Sequence, residues 1–333
     1  MTEMRQPPQD VITRLAVLVP VFNDWACVPK LVAALETTPG LPKNMKIVFV
    51  DDGSTEALSE FLGDMRTPIE IVRLGANLGH QRAIAVGLVS IAQTQSADAV
   101  IVLDADGEDS PEDCELLWRA HLENPKGIVV AQRRKRSESV QFRFFYNLYG
   151  WFFRFLTGKR LDFGNFSVLP ISVVERVILM PELWSHFPAT IMKSRLQIMR
   201  VPLDRGIRFS GQSRMNFISL VNHGLAGIAA FADTAYARLL AWSVSAMTIL
   251  AFTILAGVIF RLSTEDPLPG WLALSAVAAF VALFQIIAAL VVVSFLTLSQ
   301  RAQPTLPPTQ VALTYVSEVV VPVTHAPANS NDE

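Results

Sequence analysis

The sequence predicts an α/β fold built on a mostly parallel sheet, continued by a C-terminal pair of membrane-spanning helices. Three observations carry this. Short apolar runs recur through the first half of the chain and stop abruptly at acidic residues, as strands buried on both faces do when they emerge at the carboxyl edge of a sheet. Segments with apolar positions at helical spacing separate them, giving the alternation of a right-handed parallel sheet. Near the C-terminus, two long runs carry no charged residue, and each is long enough to cross a bilayer.

Residues 1–13 are polar and read as a flexible N-terminus with no cleavable targeting signal. The first strand is Leu15-Ala-Val-Leu-Val-Pro-Val-Phe-Asn-Asp24, whose inner pairing is expected to end at Pro20, because proline has no N–H for a ladder. Asn23 and Asp24 are expected to open a helix that buries Val28, Leu31, Val32 and Leu35. The second strand, Lys46-Ile-Val-Phe-Val-Asp-Asp-Gly-Ser-Thr55, stops at Asp51 and Asp52 and turns on Gly53. A third ends the same way in Ala99-Val-Ile-Val-Leu-Asp-Ala-Asp-Gly-Glu-Asp109, after which Ser110-Pro-Glu-Asp113 begins a helix with Asp109 as its expected cap. All three acidic ends are expected along one sheet edge, where open α/β sheets bind ligands. Asp104 and Asp106, with Glu108 close by, suit a hard divalent cation that takes its remaining ligands from water and a substrate diphosphate.

The strand Gly127-Ile-Val-Val-Ala-Gln132 leads into Arg133-Arg-Lys-Arg136, and farther on stands Arg205-Gly-Ile-Arg208-Phe-Ser-Gly211-Gln-Ser213-Arg214. Arginine forks pair with phosphate oxygens, so both clusters are candidate phosphate clamps. In the first, Arg133 is expected to face the site, and Arg134, Lys135 and Arg136 to meet solvent or anionic headgroups.

Four segments, in order, carry a resemblance: Val19-Pro-Val-Phe-Asn-Asp24, Val50-Asp-Asp-Gly-Ser54, Asn77-Leu-Gly-His-Gln-Arg82 and Asp104-Ala-Asp-Gly-Glu108. In these the chain resembles the family 2 glycosyltransferases of the nucleotide-diphospho-sugar transferase (GT-A) fold. Within them it is most similar to the polyisoprenyl-phosphate glycosyltransferases, such as dolichol-phosphate mannose synthase and the undecaprenyl-phosphate sugar transferases. The resemblance implies a donor that is a UDP- or GDP-linked sugar, a polyprenyl phosphate acceptor, and Mg²⁺ or Mn²⁺ held by Asp104, Asp106 and Glu108. It implies that Pro20, Phe22, Asp24 and Asp52 line the base and ribose pocket, with Arg82 and Arg133 also on the donor. The second basic segment resembles the family's R-x-x-G-x-S-K, with Arg214 in place of the lysine, and implies Arg208, Ser213 and Arg214 on the acceptor phosphate. Many relatives carry a D-A-G-D-F-R segment near the reacting centre. Here Leu161-Asp-Phe-Gly-Asn-Phe-Ser167 keeps Asp162 but puts Asn165 where the second acid stands and Ser167 where the arginine stands. Asn165 cannot take a proton at neutral pH. The alternatives are an acceptor phosphate that serves as its own nucleophile, a base role for Asp162, or a different acceptor.

Catalytic chemistry is thus expected within residues 14–214. An aromatic segment over about 140–157, with Arg143 and Arg154, and a second over 215–237 read as helices lying in the headgroup layer; an aromatic face packed on the sheet is the alternative for the first. Spans are expected at about 239–260 and 271–298. Arg238 and Arg301 flank them, against Glu265 and Asp266 beside the single Arg261 in the turn, which places both ends in the cytoplasm at the inner membrane. The tail, 301–333, is expected to be partly disordered, with Gln310–Val316 as a candidate edge strand.

Of 333 residues, 51% are hydrophobic, high for a soluble enzyme. A net charge of −2 argues against a nucleic-acid partner, and oligomer formation stays open. Cys27 and Cys114 are too few and too far apart for a zinc site and read as buried thiols; His223 reads as a satisfied or solvated histidine rather than a ligand. A processive polysaccharide synthase would need a Q-x-x-R-W segment, which is absent. A non-catalytic sugar-nucleotide binder would be consistent with Asn165 but not with intact Asp104 and Asp106.

Overall fold

β1 (Leu15–Val21) is buried along its whole length, and its side chains alternate between two cores. Ala16 and Leu18 pack with Val48 and Val50 on one face, whereas Leu15, Val17 and Val19 pack with Ile47 and Phe49 on the other. A strand covered on both sides has no polar face to show, and this is why its sequence is continuously apolar. The structure, a computed structural model, describes residues 14–56, 65–133, 140–204, 206, 208–209, 217–263, 269–301 and 306–321.

The strands β2 (Lys46–Asp51), β3 (Ile69–Leu74), β4 (Ala99–Val102), β5 (Ile128–Arg133), β6 (Phe163–Pro170), β7 (Ile198–Leu203) and β8 (Val316–Val320) complete an eight-stranded sheet in the order β7-β5-β6-β4-β1-β2-β3-β8. It is mostly parallel. The exceptions are β6, antiparallel to both β4 and β5, and β8, antiparallel to β3. Pairing of β1 with β4 stops at Leu18–Val102, but pairing with β2 runs on through Pro20–Val50 to Val21–Asp51. Pro20 therefore ends the ladder on one side of the strand only.

α1 (Val28–Thr37) and α3 (Pro111–Glu123) cover the core around Trp25 and Phe49, while α2 (His80–Thr94) and α5 (Ile171–Val177) cover the other. Gly87 lets α2 sit directly on the strands: a Cβ there would stand 2.2 Å from Leu18 Cδ1. The helix expected at Asn23 and Asp24 begins later. A 3₁₀ turn, Trp25–Cys27, intervenes, and Asn23 Oδ1 instead accepts from the backbone N–H of Thr55 at 2.8 Å. Both cysteines are buried and free, and burial pushes the Cys114 thiol well up. α6 (Phe187–Lys193) is capped by the His186 imidazole, which accepts from the Ala189 N–H.

The chain divides into two compact units, one built from residues 1–146, 161–230 and 306–333, the other from 147–160 and 231–305. α4 (Val140–Thr157) contributes to both. In the first unit, α7 (Phe217–Ala229) is a separate helix rather than a run-in to the first span, and its His223 ring stacks on His186 at 4.4 Å. α10 (Pro308–Val311) and a 3₁₀ turn occupy the segment expected as an edge strand, and β8 starts at Val316 instead. Proline at the first helical position favours that turn. Gly75 N–H then donates to Tyr315 C=O at 2.9 Å, setting the register in which β8 joins β3.

In the second unit, α8 (Ala232–Ser263) and α9 (Gly270–Arg301) pack on each other. Each is long and apolar enough to cross a membrane. Phe252, Leu262 and Phe295 are at least two-thirds exposed, so these are not helices of a globular core. Within the same unit the Trp151, Phe155 and Trp242 rings stack in series, and Arg238 Nε donates to Phe155 C=O at 3.0 Å.

Candidate active site

β1, β2 and β4 are adjacent and parallel, so their acidic ends share one edge of the sheet. The sheet brings the two aspartate pairs to equivalent positions, but their side chains are used differently. Asp51 Oδ1 accepts from the Ser54 N–H at 2.9 Å, and Oδ2 lies 3.4 Å from Arg73 Nε. Asp52 accepts from Leu78 N–H at 2.7 Å with one oxygen and from Gly79 N–H at 2.9 Å with the other. Burial raises the Asp52 carboxyl above the usual range even against these two hydrogen bonds. Asp52, expected on the nucleotide, binds the loop that precedes α2 with both of its oxygens. Gly53, at φ +72°, makes this possible: a Cβ would stand 2.8 Å from the backbone nitrogen of Asn77.

After β4 the chain turns on Gly107, at φ +85°. Asp106 Oδ1 accepts from Glu108 N–H at 2.9 Å, and Oδ2 accepts from Arg208 Nη2 at 2.5 Å. Arg208 Nε also lies 3.6 Å from Glu108 Oε1. The Arg208 segment is pinned beneath by Phe209 N–H to Asp106 C=O and Gly206 N–H to Glu108 C=O, both 2.8 Å. Arg208, expected on an acceptor phosphate, thus lies against two of the three candidate metal ligands. Burial raises the Asp106 carboxyl, with Asp104 and Glu108 adding to it and Arg208 opposing. Asp109 is not the helix cap. It is buried, and its Oδ2 accepts from Asp104 N–H at 3.3 Å.

His80 and Gln81, the first residues of α2, complete the edge. His80 Nε2 is 3.3 Å from Asp104 Oδ1. Desolvation lowers this imidazole, but the carboxylates of Asp104, Asp109 and Asp52 together outweigh it and hold it above its ordinary value. Asn165 Nδ2 lies 2.9 Å from the same nitrogen, and Gln81 Nε2 donates to Asn165 Oδ1 at 3.1 Å. Asn165 therefore stands beside Asp104, whereas Asp162 does not join them. Its oxygens take Gln132 Nε2 at 2.8 Å and Arg200 Nε at 3.2 Å.

Of the other expected donor-site residues, Phe22 is 39% exposed at the end of β1, Asp24 follows it, and Pro20 is buried within the strand. The Arg82 guanidinium lies over the Trp184 ring, 5.9 Å from its centroid. Arg133 is the last residue of β5, in register with Leu203. Ser213 and Arg214 lie outside the described residues, as do Arg134, Lys135 and Arg136. His80 and Gln81 were not singled out from sequence; the signal was their place inside the Asn77–Arg82 segment.

Among the described residues, no three His, Cys, Asp or Glu side chains gather closely enough to cage an ion by themselves. An acidic strand end offering two or three carboxylate oxygens does fit Mg²⁺ or Mn²⁺, which keep waters and take substrate phosphate oxygens as ligands. Asp104, Asp106 and Glu108 are the residues that would hold it.

The model of the family described as glycosyl transferase family 2 matches residues 16–174. The undecaprenyl-phosphate 4-deoxy-4-formamido-L-arabinose transferase of Enterobacter sp. is 25% identical over 291 residues, 84% of this chain and 85% of that protein. An uncharacterized glycosyltransferase of Synechocystis sp. is 30% identical over 231 residues, 65% of this chain and 69% of that protein. Among solved structures, glucosyl-3-phosphoglycerate synthase from Mycobacterium tuberculosis in complex with Mn²⁺ and UDP-glucose superposes with a TM-score of 0.48 at 14% identity, covering 69% of this chain and 85% of that one.

Proposed function

The chain belongs to glycosyl transferase family 2, and from that premise we propose that it transfers a sugar, with inversion, from a UDP- or GDP-linked donor to a polyprenyl phosphate in the membrane. The observation that carries the reading is the meeting of the Asp104 and Asp106 strand end with Arg208, in a chain that also bears two long apolar helices. Carboxylates there suit a donor diphosphate with its cation; an arginine beside them suits a second phosphate. The relative from Enterobacter, named for transfer to undecaprenyl phosphate, supports the same acceptor class.

When bound, the divalent ion supplies charge neutralisation to the departing nucleoside diphosphate. Arg133, at the end of β5, adds to that stabilisation. Asp106 and Glu108 would hold that ion with Asp104, and Arg208, which pairs with both in this structure, would serve the acceptor phosphate together with Ser213 and Arg214. No general base is needed. The second pKa of a phosphate monoester is about 6, so the attacking oxygen is largely ionised at neutral pH. This agrees with Asp162, whose carboxylate is engaged by Gln132 and Arg200.

The two apolar helices are placed in the cytoplasmic membrane as a hairpin, with the catalytic unit in the cytoplasm. β8 supports this arrangement: it follows α9 in the chain yet pairs with β3, as two crossings between α7 and α10 would require.

Incubation of membranes containing the protein with a panel of radiolabelled nucleotide sugars and undecaprenyl phosphate tests the reading. A labelled product in the lipid extract, lost on chelation of divalent ions, is expected. Label that reaches only water or a protein acceptor overturns it.

A further inference from the structure

Three side chains at the carboxyl edge form a row of hydrogen bonds whose direction is set by a backbone amide. The Phe187 N–H can only donate, and it donates to Gln81 Oε1 at 2.6 Å. The other end of that carboxamide is therefore its NH₂, and this donates to Asn165 Oδ1 at 3.1 Å. A carboxamide free to turn presents either end, but Asn165 is left with its NH₂ facing the site, 2.9 Å from His80 Nε2. Ser167, which stands where relatives carry arginine, donates from Oγ to the Asn165 carbonyl at 2.9 Å and holds the backbone at this point.

We propose that Asn165 is an acceptor-recognition residue: its NH₂, held toward the site by Phe187 and Gln81, donates to an anionic oxygen of the acceptor phosphate. The inference rests on the reaction proposed above. Its physical basis is charge. An aspartate here would add a third negative group beside Asp104 and Asp106, against an incoming phosphate. A neutral donor removes that repulsion and adds a charge-assisted hydrogen bond. Gln81 is then a positioning residue, acting through Asn165.

Steady-state kinetics of the full chain in detergent, with undecaprenyl phosphate and whichever nucleotide sugar of that panel labels the lipid, test this. Asn165→Asp is expected to raise the KM for the lipid phosphate about tenfold or more, with the donor KM within about twofold of the parent. Gln81→Glu accepts the Phe187 N–H but cannot donate to Asn165, so the Asn165 amide turns over and presents oxygen to the site. It is expected to raise the acceptor KM in the same direction. The pair must also be non-additive: Gln81→Glu placed on Asn165→Ala should change the acceptor KM no further. An unchanged acceptor KM in Asn165→Asp, donor and acceptor KM rising together, or an independent effect of Gln81→Glu on the alanine background would overturn the inference. Asn165→Ala, which removes volume without adding charge, keeps the test available if the aspartate variant does not fold. A parent enzyme that makes no lipid-linked sugar would instead bring down the reaction itself, and this inference with it.

Discussion

The ends of β2 and β4 carry the same signal, an apolar strand stopping at two aspartates and turning on a glycine, yet the fold spends them in opposite ways. Asp51 and Asp52 give three of their four oxygens to backbone N–H groups and the fourth to Arg73. Asp106 gives one oxygen to the Glu108 N–H but the other to Arg208, and Asp104 Oδ1 lies 3.3 Å from His80 Nε2, so each has an oxygen facing a side chain that can leave. A carboxylate committed to backbone amides is fixed in place by the fold. One neutralised by a mobile cation can exchange it for another. On the proposed reaction, this separates a residue that builds the site from one that would work in it.

The strongest way to break the comparison is at the working end. Asp104→Ala or Asp106→Ala should lower kcat by about two to three orders of magnitude with little change in melting temperature, measured by lipid-product formation and by thermal unfolding of the same preparations. Normal turnover in either variant would reverse the assignment of the two ends. Asp52→Ala should show the opposite profile. Leaving the half-buried Leu78 and Gly79 N–H groups unpaired should cost about 1–3 kcal/mol of stability, read from denaturant unfolding, and a variant as stable as the parent would show that the loop does not need this carboxylate.

Arg208→Gln sharpens the contrast further. Removing a partly buried competitor for Asp106 should tighten Mn²⁺ binding about fivefold, the equivalent of roughly 1 kcal/mol, while turnover with lipid phosphate falls. Weaker ion binding in calorimetry would mean that the arginine supports the ion rather than standing in its place. The smallest expected difference lies in the glycines. Gly53→Ala meets backbone, Asn77 N at 2.8 Å, whereas Gly107→Ala meets the Phe209 ring at 2.7 Å. A side chain yields more readily than a main chain, so Gly53→Ala should be the less stable of the two by about 1 kcal/mol, and equal melting temperatures would remove the distinction.

Much of this was legible from residues alone. The continuous apolar runs of β1, β2 and β4 announce a sheet covered on both sides, and their acidic ends announce its working edge. β6 was harder to see, because Gly164, Asn165 and Ser167 interrupt its apolar character. β7 carries Arg200 and Pro202 on a half-exposed sheet edge, which hides its strand periodicity. The site was legible as far as residue type. Asp104, Asp106, Arg208 and Asn165 were all singled out, but sequence spacing cannot reveal which partner takes up a charge, so the engagement of Asp52 by Leu78 and Gly79 emerged only with the loop in place. His80 and Gln81 went unnoticed for the same reason: nothing in their spacing tells that residue 165 arrives opposite them on an antiparallel strand.

Chain order gives β8 a consequence for biosynthesis. The strand that closes the β3 flank leaves the ribosome only after both hydrophobic helices have been made, so during insertion β3 is a bare, pairing-competent border beside nascent neighbours. The last backbone ladder of the sheet therefore forms only after both apolar helices have been synthesised. Truncation before Val316 would leave each newly made molecule with an uncapped flank, and its penalty would fall on yield, through self-association, before it fell on turnover.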